Sequence, residues 1–85
     1  MTHQWLERPR PARLERRMEF PDYESTRVFL ERLGERSERA GIYPDISFGR
    51  TYVNLTLHAE GERVDEPLHQ LAAELDSLVP GPLVA

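Results

Sequence analysis

Leu14-Glu15-Arg16-Arg17-Met18-Glu19-Phe20-Pro21-Asp22-Tyr23 changes its periodicity within ten residues. Up to Phe20, the side chains of Leu14, Arg16, Met18 and Phe20 alternate with Glu15, Arg17 and Glu19. A spacing of two is that of a strand with one apolar face. Arg16 interrupts that face, which predicts that the early part of the strand lies at a sheet edge. Pro21 ends the strand by withdrawing a backbone donor. Asp22 is then free to accept backbone N–H groups as an N-cap, and Glu24 suits the positive first turn of a helix. Beyond it, Thr26, Phe29, Leu30, Leu33, Ser37 and Ala40 recur at helical spacing. Gly41 is placed to end the helix in the left-handed conformation. Gly34, inside it, costs about 1 kcal/mol relative to Ala unless a neighbouring backbone needs the space.

Downstream, Ile46 and Phe48 flank Ser47, and Gly49-Arg50 can turn the chain. Val53, Leu55 and Leu57 alternate with Tyr52, Asn54, Thr56 and His58, which predicts a further strand with one buried face. Asp65 is placed to cap a last helix whose first turn accepts Pro67, and Leu68, Leu71, Ala72, Leu75 and Leu78 or Val79 form its stripe. Upstream, a strand near Trp5 leads into Arg8-Pro9-Arg10-Pro11, read as a proline-stiffened connection between two edge strands. The order predicts an α+β domain, β-β-α-β-β-α. Its four-stranded antiparallel sheet carries two helices on one face, a packing expected to bury every stripe named above.

The 85 residues suit one domain, with residues 1–4 and 80–85 expected to fray. The absence of cysteine excludes disulfides, thiolate metal sites and cysteine nucleophiles. No apolar run approaches the ~20 residues of a membrane span, and no signal-peptide pattern opens the chain, so a cytoplasmic location is expected. A chain of this length hides only about 60% of its unfolded surface. That thin core, and the two open edges of a four-stranded sheet, predict a homodimer. The strand of Ile46 and Phe48 is the better pairing edge, because Pro9 and Pro11 spoil the first strand.

All eleven basic residues are Arg, and the net charge is −4. Residues 1–17 carry Arg8, Arg10, Arg13, Arg16 and Arg17 against Glu7 and Glu15, whereas the rest of the chain is acidic. An acidic body argues against nucleic-acid binding. Two charged surfaces are candidates for a protein partner. One is the N-terminal segment with Arg8, Arg10 and Arg13. The other is the outer side of the first helix, with Glu31, Arg32, Glu35, Arg36 and Arg39. Ordinary solvation is the plainer explanation of most of that helix face. The three histidines are too dispersed for a metal site, and no phosphate-binding glycine loop or nucleophile elbow occurs. No cofactor is expected.

Trp5, then Met18-Glu19-Phe20, Asp22-Tyr23, Phe29, Ser37-Glu38, Ile42-Tyr43-Pro44, Leu57-His58, Asp65-Glu66-Pro67 and Leu71-Ala72 follow one another at the spacing of a known family. Together they resemble the pterin-4a-carbinolamine dehydratases, from Trp5 to about Leu78. The resemblance implies the same fold and a pocket at Tyr43, Pro44 and His58. That family's dehydration needs groups that exchange protons near neutral pH, for which imidazole is suited. Where its members read His-His-Pro, this chain reads Ile42-Tyr43-Pro44. Ile42 carries no proton, and Tyr43 has an ordinary pKa of about 10. Pro67 stands where the family places an acid. His58 would act alone, and its structural role at a strand end is favoured over catalysis. The pocket is therefore read as vestigial, with no catalytic residues. The chain is most similar to the non-catalytic group of pterin dehydratase-like Rubisco assembly factors associated with α-carboxysomes. That resemblance implies a chaperone that binds the Rubisco large subunit, in the cytoplasm or at the carboxysome. The alternative is a 4a-hydroxytetrahydrobiopterin dehydratase with a degenerate site, using His58 with Tyr43.

Overall fold

A computed structural model describes residues 5–81 and 83. The chain runs β1 (Leu6–Pro9), β2 (Ala12–Glu19), α1 (Tyr23–Ala40), β3 (Asp45–Phe48), β4 (Tyr52–His58) and α2 (Glu66–Asp76). The four strands form one antiparallel sheet in the order β1-β2-β4-β3, the α+β arrangement read from the sequence. The expected fraying of 1–4 and 80–85 falls largely outside the described residues.

The helix signals act as expected. The Asp22 carboxylate accepts from Ser25 N at 2.8 Å and opens α1. Gly41 closes it at φ 73°, donating its N–H to Ser37 O at 2.8 Å. Asp65 caps α2 by accepting from Leu68 N at 3.2 Å. The core is drawn from Leu14, Met18, Val53, Leu55 and Leu57 of the two central strands, Phe20 just beyond β2, Phe29 and Leu33 of α1, and Leu68, Leu71, Ala72 and Leu75 of α2. Phe20 and Phe29 meet with ring centroids 5.4 Å apart.

Three expectations are corrected. First, β2 is a central strand, paired on both sides, and the arginine in its apolar face has another cause. Arg16 reaches under the end of α2, where its Nη1 donates to Asp76 Oδ1 at 2.6 Å. The same oxygen accepts from Trp5 Nε1 at 2.9 Å, so one carboxylate ties the N-terminal hairpin to the last helix. Second, Arg8 and Pro9 belong to β1 itself, with Pro9 opposite Ala12, which leaves only Arg10-Pro11 as the turn. Third, not every stripe is buried. Ile46 and Phe48 remain 42% and 59% exposed, although they lie opposite the buried Leu55 and Val53. Both sit on the outermost strand, which contributes no residue to the core. Ala40, at the end of α1, is also exposed.

Two glycines have opposite constraints. At Gly49, beside the β3–β4 turn, an added Cβ would lie 2.3 Å from the Tyr52 ring. At Gly34 it would meet nothing within 4 Å, so no neighbouring backbone requires the gap. Gly34→Ala is therefore expected to stabilise the protein by up to about 1 kcal/mol, read as a higher midpoint in thermal or urea unfolding.

Candidate functional site

The end of α1, the end of β4 and the start of α2 converge on a cleft of about 410 Å³. Its walls bring together Tyr43 and His58, two of the three positions of the pocket that the resemblance implies, with Ile42 and Pro67 beside them. Pro44 does not line it. Glu60 and Asp65 do, and neither stood out in the sequence as a cleft residue. Their one signal is position, because Glu60 follows His58 by two residues and Asp65 precedes the proline of α2. Asp65 is engaged in capping Leu68 N.

The local folding explains each placement. Gly41 turns the chain out of α1 in the left-handed conformation, which lets the Ile42 N–H also reach Ser37 O at 3.2 Å. Ile42 then packs against the core, while Tyr43 projects outward, 69% exposed. His58 ends β4 on the open face of the sheet. Its Nε2–H donates to Asp45 Oδ2 at 2.7 Å, so the ring is held by the neighbouring strand β3. The ring thus has a definite side-chain partner at the strand end. Chemically, the cleft offers one imidazole already committed to a carboxylate. Ile42 and Pro67, on the same walls, have no ionisable group, whereas Tyr43, Glu60 and Asp65 do.

The charged surfaces differ from one another. In the N-terminal hairpin, Arg13 Nε donates to Glu15 at 2.6 Å and Arg8 Nε to the same carboxylate at 3.3 Å, while Arg13 Nη1 also donates to Pro11 O at 2.9 Å. Arg10, at the turn, has no ion-pair partner among the described residues. On α1, Arg32 Nη1 donates to Leu78 O at 2.9 Å, and Arg36 pairs with Glu74 of α2. These two arginines hold the helices together, a role the helical pattern did not indicate. Glu31 pairs with Arg27, one turn earlier, at 2.8 Å. Arg39 lies in the last turn of α1, where a cation suits the helix end.

Solved structures similar to this chain include two with informative descriptions. The first is described as a pterin dehydratase-like protein identified as a RuBisCO assembly factor in the alpha-carboxysome. It is 42% identical, with 92% of this chain and 95% of that one covered at a TM-score of 0.81. The second is a transcriptional coactivator/pterin dehydratase from Brucella melitensis, 17% identical. It covers 89% of this chain and 82% of that one at a TM-score of 0.79, a likeness of fold alone. No family model matches the chain, and no curated protein matches it.

Glu15 yields a pH test. The Arg13 guanidinium, with Arg8 beyond it, holds the Glu15 carboxyl below the usual carboxylate range despite some desolvation. A depressed folded-state pKa adds stability above the unfolded value of about 4.3, and that stability is lost as the pH falls through the folded value. Thermal melts from pH 6 to pH 3 (a range set about that value) should show a steeper loss for the parent protein than for Glu15→Gln. Equal slopes would mean that the pair contributes nothing.

The match at 42% identity over 92% of the chain, on the same fold, makes this chain a member of the pterin dehydratase-like family.

Proposed function

We propose that the protein is a non-catalytic member of this family that assists Rubisco assembly by binding the large subunit. The observation that carries this reading is the 42% identity, over 92% of the chain, to a structure described as a RuBisCO assembly factor of the alpha-carboxysome. The cleft chemistry supports the absence of catalysis, because Ile42 and Pro67 occupy positions that would need proton carriers. Among the described residues no helix is long and apolar enough to cross a membrane. We place the protein in the cytoplasm, at or near the carboxysome, and its working form is a homodimer.

Client recognition is mainly electrostatic. An assembly factor must release its client, and charge complementarity raises association rates without requiring a tight apolar contact. Arg8, Arg10 and Arg13 project from one hairpin, and Arg10 is its uncommitted cation among the described residues. On α1, Arg32 and Arg36 are already bound to α2, so charge reversal there loosens the fold as well as the surface. Arg10→Glu is the cleaner probe.

Two experiments test the reading. Stopped-flow measurement of carbinolamine dehydration should give the uncatalysed rate. Turnover that disappears in His58→Ala would restore the enzyme, for which the His58–Asp45 pair is the one structural support. Capture of Rubisco large subunit should weaken as salt rises to about 0.5 M, where screening acts within a few ångströms. It should also weaken in Arg10→Glu at an unchanged melting temperature. Capture indifferent to both would mean that the hairpin is not the binding face.

A further inference from the structure

The chain has three tyrosines, and two of them carry an arginine on the ring. The Arg17 guanidinium lies 4.3 Å from the centre of the Tyr52 ring, and that of Arg50 lies 5.3 Å from the centre of the Tyr23 ring. Both distances are within reach of a cation–π contact. Arg17 Nε also donates to Glu19 Oε2 at 3.2 Å, so this guanidinium is held by an aromatic face and a carboxylate together. The third ring, Tyr43, is 69% exposed at the cleft and has no cation over it among the described residues. Glu60 lines the same cleft and has no ion-pair partner among the described residues. The cleft thus repeats the pairing of aromatic and carboxylate found at Tyr52, on a surface open to a partner.

We infer that this cleft is a socket for an arginine side chain of the protein client, an inference that rests on the client-binding function proposed above. Tyr43 stacks on the face of the guanidinium, and Glu60 accepts from its N–H fork. Ile42, Pro67 and Leu68 also line the cleft and give the methylene stem an apolar wall. The volume of about 410 Å³ admits one such long side chain. The charge of the walls has the matching sign, because Glu60 and Asp65 are acidic and no Arg lines the cleft. Asp65 Oδ1 accepts from Leu68 N at 3.2 Å, which leaves its second oxygen for the guanidinium. His58 Nε2 is engaged by Asp45 Oδ2 and is no competitor for Glu60.

Arginine fits these walls better than other side chains. A lysine ammonium is a strongly hydrated point charge, whereas a guanidinium is planar, more weakly hydrated, and able to stack and to pair at once. An acidic side chain would meet Glu60 and Asp65 with like charge. An apolar one would desolvate Glu60 without giving it a partner. The socket is also distinct from the arginine-bearing hairpin. Arg10 lines a separate hollow with Pro9, Pro11, Gly61 and Glu62. The loop after β4 lies between the two, with Glu60 on the cleft and Glu62 on the hollow. The client surface is thereby offered an anionic point and a cationic one, on opposite sides of that loop.

The test compares N-acetyl-arginine amide with N-acetyl-citrulline amide, which keeps the shape and loses the charge. Titrated into isotope-labelled protein at concentrations on the order of 10 mM, suited to one weakly held side chain, the arginine compound should shift the amide NMR signals of Ile42, Tyr43, Glu60 and Leu68 saturably. The citrulline compound should bind about tenfold more weakly, as should the arginine compound to Tyr43→Ala and to Glu60→Gln, while Tyr43→Phe retains the affinity. Neither side chain belongs to the core, so melting temperatures should not move. Capture of Rubisco large subunit should weaken in Tyr43→Ala and in Glu60→Gln. No saturable shift, equal binding of the two compounds, or shifts that persist in both variants would overturn the socket. Capture unchanged in Tyr43→Ala would overturn the client as the source of the arginine. A change of oligomeric state in that variant would overturn it in favour of a second copy. Arg10→Glu reads the hairpin alone, so the assembly reading stands or falls on its own variant.

Discussion

Burial of the inner face of β2 and β4 beneath α1 and α2 is the constraint on which the rest of the structure depends. Leu14, Met18, Val53, Leu55 and Leu57 supply the sheet side of that contact. Phe29, Leu33, Leu68, Leu71 and Leu75 supply most of the helix side. Each such side chain contributes about 1.5–3 kcal/mol when fully buried. Neither edge strand provides a residue to this core. The edges and the cleft are therefore attached to a framework that does not need them for its own packing. Tyr43, His58 and Pro67 of the cleft lie outside the buried cluster, so the fold tolerates change at these positions. Ile42 differs. At the cleft wall it packs its side chain against the core.

A second layer of polar ties orients the elements around that core. Asp76 accepts from both Trp5 and Arg16, closing a contact across 71 and 60 residues of sequence. Arg32 and Arg36 reach from α1 to Leu78 and Glu74. These links account for charged residues on faces that periodicity alone would assign to solvent or to an edge. They also narrow the surface on which a partner could be recognised by free charge.

The legibility of the sequence follows the range of each interaction. The alternation of β2 and β4, the caps at Asp22 and Asp65 and the stop at Gly41 are local, and each element bears the residues expected of it. Arg16 was misleading because its partner lies on the last helix, and no local pattern announces that pairing. The same holds for Arg32 and Arg36, whose spacing on α1 resembles an ordinary solvated face. Ile46 and Phe48 show the opposite limit. Their alternation marks a strand, but whether a strand's apolar face is covered depends on its place in the sheet order. At the cleft, the motifs marked Tyr43 and His58, which line it, and Pro44, which does not. The contribution of Glu60, and the hold of Asp45 on His58, required the paired strands.

The proposed reading rests on the framework, the cleft and the arginine-bearing hairpin together, and it makes binding of a client the central claim. The most direct measurement is the yield of active Rubisco when its subunits are produced with and without this chain. The account predicts a higher yield with the chain present, retained when His58 is replaced by Ala and reduced when Arg10 is reversed to Glu. A yield indifferent to the chain, or a gain abolished by His58→Ala alone, would contradict it.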